Sequence, residues 1–247
     1  MSVSKSTNSK PYILVVDAGN TSIKWSVFLG DDIVWRGRDK DIDTQCFDIK
    51  SVYFASVRGR EANQILLDSI QDRYKKAVCT LLDVRSHACN VINAYDEPYR
   101  LGIDRWLGVL YAYHRYQSNV VIIDAGTAVK IDVIDKNGKH LGGYIAPGGR
   151  LMEQALTSNT GRIRFSEDDM EDIDGLPKNT GQAVRLGCRE MMFGFVERVL
   201  RDYPNSVFLF TGGDGEYLMK QLDVDGFFDP DIVLKGAKLL GDERVIM

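Results

Sequence analysis

The distribution of apolar and polar residues along the chain predicts two successive α/β units. Two short apolar runs, residues 13–16 and 120–123, each end at an aspartate and are followed by a stretch in which apolar and polar positions alternate. An apolar run of this length is typical of a buried strand, and alternation with a period of two is typical of a half-buried strand. Each copy therefore predicts a strand, a glycine-containing turn and a second strand, with a carboxylate where the first strand ends.

Apolar residues at strand or helix spacing predict the remaining elements of both halves. We expect further strands at residues 33–35, 51–57, 78–82, 140–145 and 206–210. We expect helices at residues 61–74, 106–116, 150–157, 180–201, from about 216, and at 230–240, with an acidic loop at 158–178. This order predicts an α/β fold of two similar lobes, each a mixed sheet with flanking helices, at residues 11–118 and 119–247, after a disordered leader at 1–10.

The two hairpin turns carry residues suited to holding phosphate groups. A glycine in each turn, Gly19 or Gly126, lets backbone N–H groups approach an anion closely, and a nearby threonine adds a hydroxyl donor. Since Asp17 or Asp124 would repel a bare phosphate, a cation between carboxylate and phosphate would complete such a site. The alternative is two ordinary connecting hairpins. Repetition of Asp, Ala, Gly and Thr in both turns favours a two-lobed nucleotide-binding protein.

A third candidate site precedes the helix expected at residues 106–116. Gly102 interrupts the chain there, so that Asp104 and Arg105 lie at or near the helix start. A carboxylate at that position can orient a hydroxyl group and accept its proton late in a loose phosphoryl transfer. The guanidinium group of Arg105 matches a carboxylate or a phosphate. The alternatives are that Asp104 is only a helix N-cap and that Arg105 forms a surface ion pair.

Composition and common motifs exclude several classes of protein. The 247 residues carry a net charge of −4 without clusters of Lys or Arg, which argues against nucleic acid as a partner. No apolar stretch approaches the ~20 residues that cross a membrane, and the N-terminus lacks the apolar core of a signal peptide. Four cysteines and three histidines show no zinc-site spacing, and neither GxxxxGK[ST] nor GxGxxG occurs. We expect a cytoplasmic protein without structural zinc or membrane partner.

Taken together, five segments of the chain resemble the type III pantothenate kinase family. They are DAGNTSIK at 17–24, LGIDRW at 101–106, DAGTAVKID at 124–132, GGYIAPG at 142–148 and NTGQAVRLG at 179–187. That family belongs to the actin and sugar-kinase superfamily, so the resemblance implies a duplicated fold of the actin/ribonuclease H type. It also implies ATP-dependent phosphorylation of pantothenate to 4′-phosphopantothenate, the first step of coenzyme A biosynthesis.

The resemblance implies a role for each matching residue. Asp104 would be the catalytic proton acceptor, Asp17 would contact Mg²⁺ directly or through water, and Asp124 would bind a monovalent cation, K⁺ or NH₄⁺. The ATP phosphates would be held by Asp17, Ala18, Gly19, Asn20, Thr21, Ser22, Ile23 and Lys24, together with Thr127. Pantothenate would be bound by Tyr95, Gly102, Ile103, Asp104 and Arg105, and by Thr180 of the partner subunit in a homodimer.

One position departs from the family pattern, because Lys130 stands where the family usually has threonine. An ammonium group fixed near the second hairpin would weaken or replace the need for a monovalent cation.

A helix that begins at Thr180 and carries Met191, Met192, Phe193 and Phe195 has apolar residues on more than one face. This pattern is typical of a dimer interface, and also of a core helix.

Two other functions remain open at this stage. One is a non-catalytic regulatory or transcriptional accessory protein of the same fold, and the other is a kinase for a different small hydroxyl compound or sugar. The presence of Asp17, Asp104, Arg105 and Asp124 argues against the first, because a pure binding module has no chemical need for that set. The GIDR segment and the Thr180 motif argue against the second through the resemblance.

Overall fold

The computed structural model describes residues 11–40, 42–159, 163–165, 173 and 175–246. The expected leader at 1–10 and part of the expected loop at 158–178 lie outside the described residues. The described residues up to Tyr111, together with those from Ile232 onward, form one compact unit, and Ala112–Asp231 form a second.

The first unit contains the first predicted hairpin and the elements that follow it. Its strands are β1 (Tyr12–Ala18), β2 (Ile23–Leu29), β3 (Asp32–Arg38), β4 (Ile49–Ser56), β5 (Val78–Leu81), β6 (His87–Ala88) and β7 (Val91–Ile92). Its helices are α1 (Arg60–Arg73), a 3-10 turn at Pro98–Arg100 and the first part of α2 (Ile103–Tyr116).

The second unit begins within α2 and repeats the pattern. It contains β8 (Val120–Ala125), β9 (Ala128–Ile134), β10 (His140–Pro147), α3 (Gly149–Asn159), α4 (Thr180–Asp202), β11 (Val207–Thr211), α5 (Gly215–Gln221) and β12 (Phe227–Phe228). The last helix, α6 (Ile232–Ile246), belongs to the first unit.

Both large sheets have the same strand order and orientation. The first runs β3-β2-β1-β4-β5 and the second β10-β9-β8-β11-β12. In each sheet the first three strands along the chain pair antiparallel in succession, the fourth pairs in parallel with the first, and the fifth pairs in parallel with the fourth. This identity confirms the predicted mixed α/β fold of two similar lobes. It also places the β1–β2 turn and the β8–β9 turn at equivalent positions in their sheets.

Buried strands and one helix face form the core of each unit. In the first unit the cluster comprises Leu14, Val16, Ala18, Trp25, Val27, Ile49, Val52, Phe54 and Ile70. In the second it comprises Val121, Ile123, Ala125, Val129, Ile131, Val133, Met192, Val196, Val199, Phe210 and Leu218. The strands of the two predicted hairpins therefore supply more than half of each cluster, five of nine residues in the first and six of eleven in the second.

The C-terminal helix α6 belongs to the first unit. The sequence analysis instead expected the two lobes at residues 11–118 and 119–247. Helix α6 packs on the first unit: a Cβ added at Gly236 would lie 2.0 Å from the carbonyl oxygen of Leu107. The hydroxyl of Tyr53 donates a hydrogen bond of 3.0 Å to Asp242 Oδ1. Since contacts far apart in sequence create this packing, the hydrophobic pattern of residues 230–240 predicted the helix but not the unit that it joins.

Candidate active site

The first hairpin places a nearly buried carboxylate at the end of β1. Asp17 is 8% exposed and lies opposite Lys24 in the β1–β2 ladder and beside Ala55 of β4. The turn of residues 19–22 joins the two strands, with Thr21 exposed and Ser22 half-buried. A carboxylate, two hydroxyl groups and the N–H groups of the turn thus lie within one short segment of chain.

Arg58 is held against this turn, although the sequence analysis gave it no role. Its Nε–H donates to the carbonyl oxygen of Gly19 at 3.0 Å. Its backbone N–H donates to Ser56 Oγ at 3.0 Å, and its carbonyl oxygen accepts from Asn63 Nδ2 at 3.1 Å. Strand β4 is parallel to β1, so both strands end at the same edge of the sheet. The sequence signal that could have identified Arg58 as a site residue is its position directly after the strand expected at 51–57.

The segment before α2 folds a carboxylate back over a glycine. A Cβ added at Gly102 would lie 2.6 Å from Asp104 Oδ1, so the carboxylate lies directly over this glycine. Asp104 lies inside the first turn of α2, which begins at Ile103, and is therefore not the residue preceding the helix. Ile103 is 6% exposed and belongs to the buried hydrophobic residues of the chain.

Arg105 is buried and fixed by Tyr95. The Arg105 side chain is 6% exposed, and its Nη1 donates a hydrogen bond of 2.9 Å to the hydroxyl of Tyr95. The guanidinium carbon also lies 5.8 Å from the centre of the tyrosine ring, within the range of a cation–π contact. Arg105 is thus not part of a surface ion pair. The structure brings together Tyr95 and Arg105, as well as Gly102 and Asp104.

The second hairpin carries an ion pair that involves the residue departing from the family pattern. Asp124 lies opposite Lys130 in the β8–β9 ladder, and Lys130 Nζ is 2.6 Å from Asp124 Oδ2. Thr127 lies in the turn between the strands with an exposed side chain. Its carbonyl oxygen accepts a hydrogen bond of 3.0 Å from the N–H of Gly148, which ties the end of β10 to this turn.

The loop after β11 also packs against the second hairpin. Gly212 has φ +85°, and a Cβ there would lie 2.2 Å from the carbonyl oxygen of Ala125 and 2.6 Å from Asp124 Oδ1. Asp214 donates its N–H to the Ala125 carbonyl oxygen at 3.0 Å. Glycine is required here, both by its conformation and by the close approach of the two backbones.

Thr180 opens α4 at the rim of an apolar groove. Its side chain is exposed, and Asn179 caps the helix by accepting the N–H of Gln182 at 2.8 Å. The groove has a volume of about 530 Å³. It is lined by Leu156, Ile163, Thr180, Ala183, Val184, Gly187, Cys188 and Met191. Met191 is 68% exposed, whereas Met192, Phe193 and Phe195 contribute to the core of the second unit.

Among the described residues, no group of three or more His, Cys, Asp or Glu side chains could hold a metal ion. Burial and the neighbouring Glu243 carboxylate raise the pKa of the Cys89 thiol to about 12, so this cysteine is not a thiolate at neutral pH. None of the described helices is both long enough and apolar enough to cross a bilayer.

Two sheets of the same strand order, each with an Asp-Ala-Gly hairpin at the equivalent position, define the class of protein, a duplicated α/β fold of two similar lobes. The sequence model of the type III pantothenate kinase family matches residues 13–202. A type III pantothenate kinase of Marinomonas sp. is 46% identical over 235 residues, covering 94% of this chain and 96% of that protein. One from Pseudomonas putida F1 is 35% identical, covering 92% and 98%. The chain belongs to the type III pantothenate kinase family.

Solved structures of more distant proteins share the fold. A Campylobacter jejuni protein assigned as a Baf family transcriptional activator has a TM-score of 0.60 at 22% identity, covering 95% of this chain and 100% of that one. The ethanolamine utilization protein EutJ of Carboxydothermus hydrogenoformans has a TM-score of 0.52 at 16% identity, covering 94% and 90%. At these identities the likeness concerns the fold alone.

Proposed function

We propose that the protein transfers the γ-phosphoryl group of ATP to the primary hydroxyl of pantothenate, the first step of coenzyme A biosynthesis, in the cytoplasm. The observation that carries this proposal within the family is the cluster around α2. Buried Arg105, held by Tyr95, presents a fixed guanidinium group suited to an anionic group of the substrate. One residue earlier, Asp104 supplies the carboxylate that accepts the hydroxyl proton.

The position of Asp104 suits the chemistry of phosphoryl transfer. In a loose transition state the attacking hydroxyl loses its proton late, so the carboxylate has to orient the hydroxyl more than it has to be a strong base. The first turn of a helix favours a negative charge, and Asp104 lies in that turn of α2. Gly102 leaves the space into which the carboxylate folds.

The donor set of the first hairpin fits Mg²⁺ and the ATP phosphates. Magnesium keeps several waters and is held in nucleotide sites by one or two carboxylates and the phosphates. Asp17 would hold the ion, directly or through water, and the ion would offset phosphate charge. The phosphates would lie against residues 17–24. Residues 18–24 would contribute to this site as a segment, through their backbone N–H groups and the polar side chains among them.

The groups around Asp124 fit a monovalent cation less well than those of the first hairpin fit Mg²⁺. The ammonium group of Lys130 already lies against one oxygen of this carboxylate. No step of the proposed reaction is therefore assigned to K⁺ or NH₄⁺.

The proposed function is tested by ATP consumption over a panel of acceptors. The panel contains pantothenate, common sugars, glycerol and acetate, each at saturating ATP and Mg²⁺. We expect pantothenate alone to support turnover. Consumption with a sugar or glycerol instead would indicate a different kinase of the superfamily. Absence of turnover with every acceptor would favour a regulatory protein of the same fold.

Arg58 is proposed as an additional contact to the ATP phosphates. Within the described residues, its Nε is its only side-chain nitrogen with a protein partner, which leaves both terminal amino groups available beside the turn. We expect Arg58→Gln to lower kcat/KM for ATP about 10–150-fold, because a hydrogen bond to a charged group contributes about 1.5–3 kcal/mol. Arg60→Gln is the matched control, since Arg60 is an exposed arginine two residues away. Equal kinetics for the two variants would contradict this role.

A homodimer with shared sites is the proposed assembly. Exposed Met191 and the apolar groove beside Thr180 support an interface on this face of α4. We expect Asp104→Asn and Thr180→Val proteins to be inactive separately and to recover about a quarter of wild-type activity after subunit exchange. This fraction arises because half of the dimers are hybrids with one intact site each. A fully active monomer, or a dimer without recovery after verified exchange, would contradict the shared site.

A further inference from the structure

The pairing of β8 with β9 places an ammonium group on the carboxylate of the second hairpin. Asp124 and Lys130 are directly opposite each other in the ladder, so their side chains lie on the same face of the sheet. Lys130 Nζ lies 2.6 Å from Asp124 Oδ2, which indicates a short charge-assisted hydrogen bond. The two side chains are 22% and 25% exposed, so water screens this pair less than it would a surface ion pair.

The other oxygen of the same carboxylate is covered by the loop after β11. A Cβ at Gly212 would lie 2.6 Å from Asp124 Oδ1, so the glycine backbone closes that side. Thr211, paired with Asp124 across β8 and β11, is 3% exposed. One oxygen thus faces a fixed cation and the other faces backbone. A second cation at this carboxylate would also meet the positive charge of Lys130.

We infer that the Lys130 ammonium group takes the place of the monovalent cation at Asp124, so that this enzyme works without K⁺ or NH₄⁺. An ammonium group supplies one positive charge and hydrogen-bond donors, which is the chemistry that an NH₄⁺ ion would bring to the same carboxylate. Because it is attached to β9, the charge is present at any salt composition. This inference rests on the proposed function for its kinetic test and on the ion pair alone for its binding test.

The simpler alternative is an ordinary cross-strand ion pair that supports the sheet. Such a pair would contribute to stability, yet the protein would have no preference among monovalent ions after its removal. The cation-site inference and the structural ion pair therefore make different predictions for a variant that lacks the Lys130 ammonium group. Only a site built for a cation would accept K⁺ or NH₄⁺ in place of the lysine.

The kinetic experiment measures turnover in chloride salts of K⁺, NH₄⁺, Na⁺ and tetramethylammonium at equal ionic strength. We expect wild-type rates that are equal in all four salts within error. Lys130→Thr should lose about tenfold or more in tetramethylammonium, because its carboxylate lacks a charged partner, and should regain rate in K⁺ or NH₄⁺. Lys136→Thr is the matched control, an exposed lysine beyond the same strand, and should behave as wild type. Stimulation of the wild type by K⁺ would overturn the inference.

The binding experiment follows the melting temperature of the same proteins in the same salts, without substrate. We expect K⁺ to raise the melting temperature of Lys130→Thr relative to tetramethylammonium, and to leave wild type and Lys136→Thr unchanged. If Lys130→Thr does not fold, Lys130→Met is used in its place, and the wild-type measurements still decide. A specific K⁺ shift in wild type would contradict the inference. An inactive wild type with the expected melting pattern would instead count against the proposed function alone.

Discussion

Replacement of Asp104 by asparagine is expected to lower kcat about 10²–10⁴-fold, the usual contribution of a general base. The amide keeps the size of the side chain and its fit over Gly102, but it cannot accept the hydroxyl proton and carries no charge. Steady-state kinetics should show the loss in kcat, whereas ATP binding and the melting temperature should stay close to those of the wild type.

Asp96→Asn is the matched control for this variant. Asp96 is an exposed carboxylate in the same segment that leads to α2, so its loss should leave kcat unchanged. A loss below about threefold for Asp104→Asn would fall well short of a general-base contribution. Asp104 would then be a residue that merely stabilises the helix start.

Replacement of Asp17 by asparagine is expected to lower the rate about 10²–10³-fold at limiting Mg²⁺, because the metal–ATP complex loses a preorganised charged contact. Excess Mg²⁺ should recover part of this loss, since a weaker site is still filled at a higher concentration. The measurement is kcat/KM for ATP across a series of free Mg²⁺ concentrations.

Asp32→Asn is the matched control for Asp17→Asn, since Asp32 is an exposed carboxylate at the start of β3. It should follow the wild-type dependence on Mg²⁺. Unchanged kinetics of Asp17→Asn at limiting Mg²⁺ would exclude a role at the metal. A loss that no concentration of Mg²⁺ relieves would contradict a role of Asp17 in binding the ion.

The elements that could be predicted from sequence are those with a clear hydrophobic period. The apolar runs before Asp17 and Asp124 form β1 and β8. Each of these strands is the central strand of its sheet, and the two sheets have the same strand order. Strands β6, β7 and β12 have two residues each, too few for a pattern. Helix α6 was expected, yet its place on the first unit depends on contacts such as that of Tyr53 with Asp242, which are distant in sequence.

The candidate site was predictable where the chemistry lies in one segment. Gly102, Asp104 and Arg105 lie within four consecutive residues. The glycine and the helical spacing of the apolar residues that follow predicted that they lie at the start of a helix. The hydrogen bond from Arg58 to the Gly19 carbonyl joins the end of β4 to the first hairpin, and only the parallel pairing of β1 with β4 creates it. Ile103 was predicted to contact pantothenate together with its neighbours. Its burial depends on tertiary packing, which the sequence of this segment alone does not show.

Identification of the product formed from ATP and pantothenate is the most direct test of the proposed reaction. Purified protein with Mg²⁺, ATP and pantothenate should yield ADP and phosphorylated pantothenate in equal amounts. Phosphorus–proton coupling in the nuclear magnetic resonance spectrum should place the new ester on the primary hydroxyl group, giving 4′-phosphopantothenate. The account would be contradicted by an ester on the secondary hydroxyl, or by ADP release that leaves pantothenate unmodified.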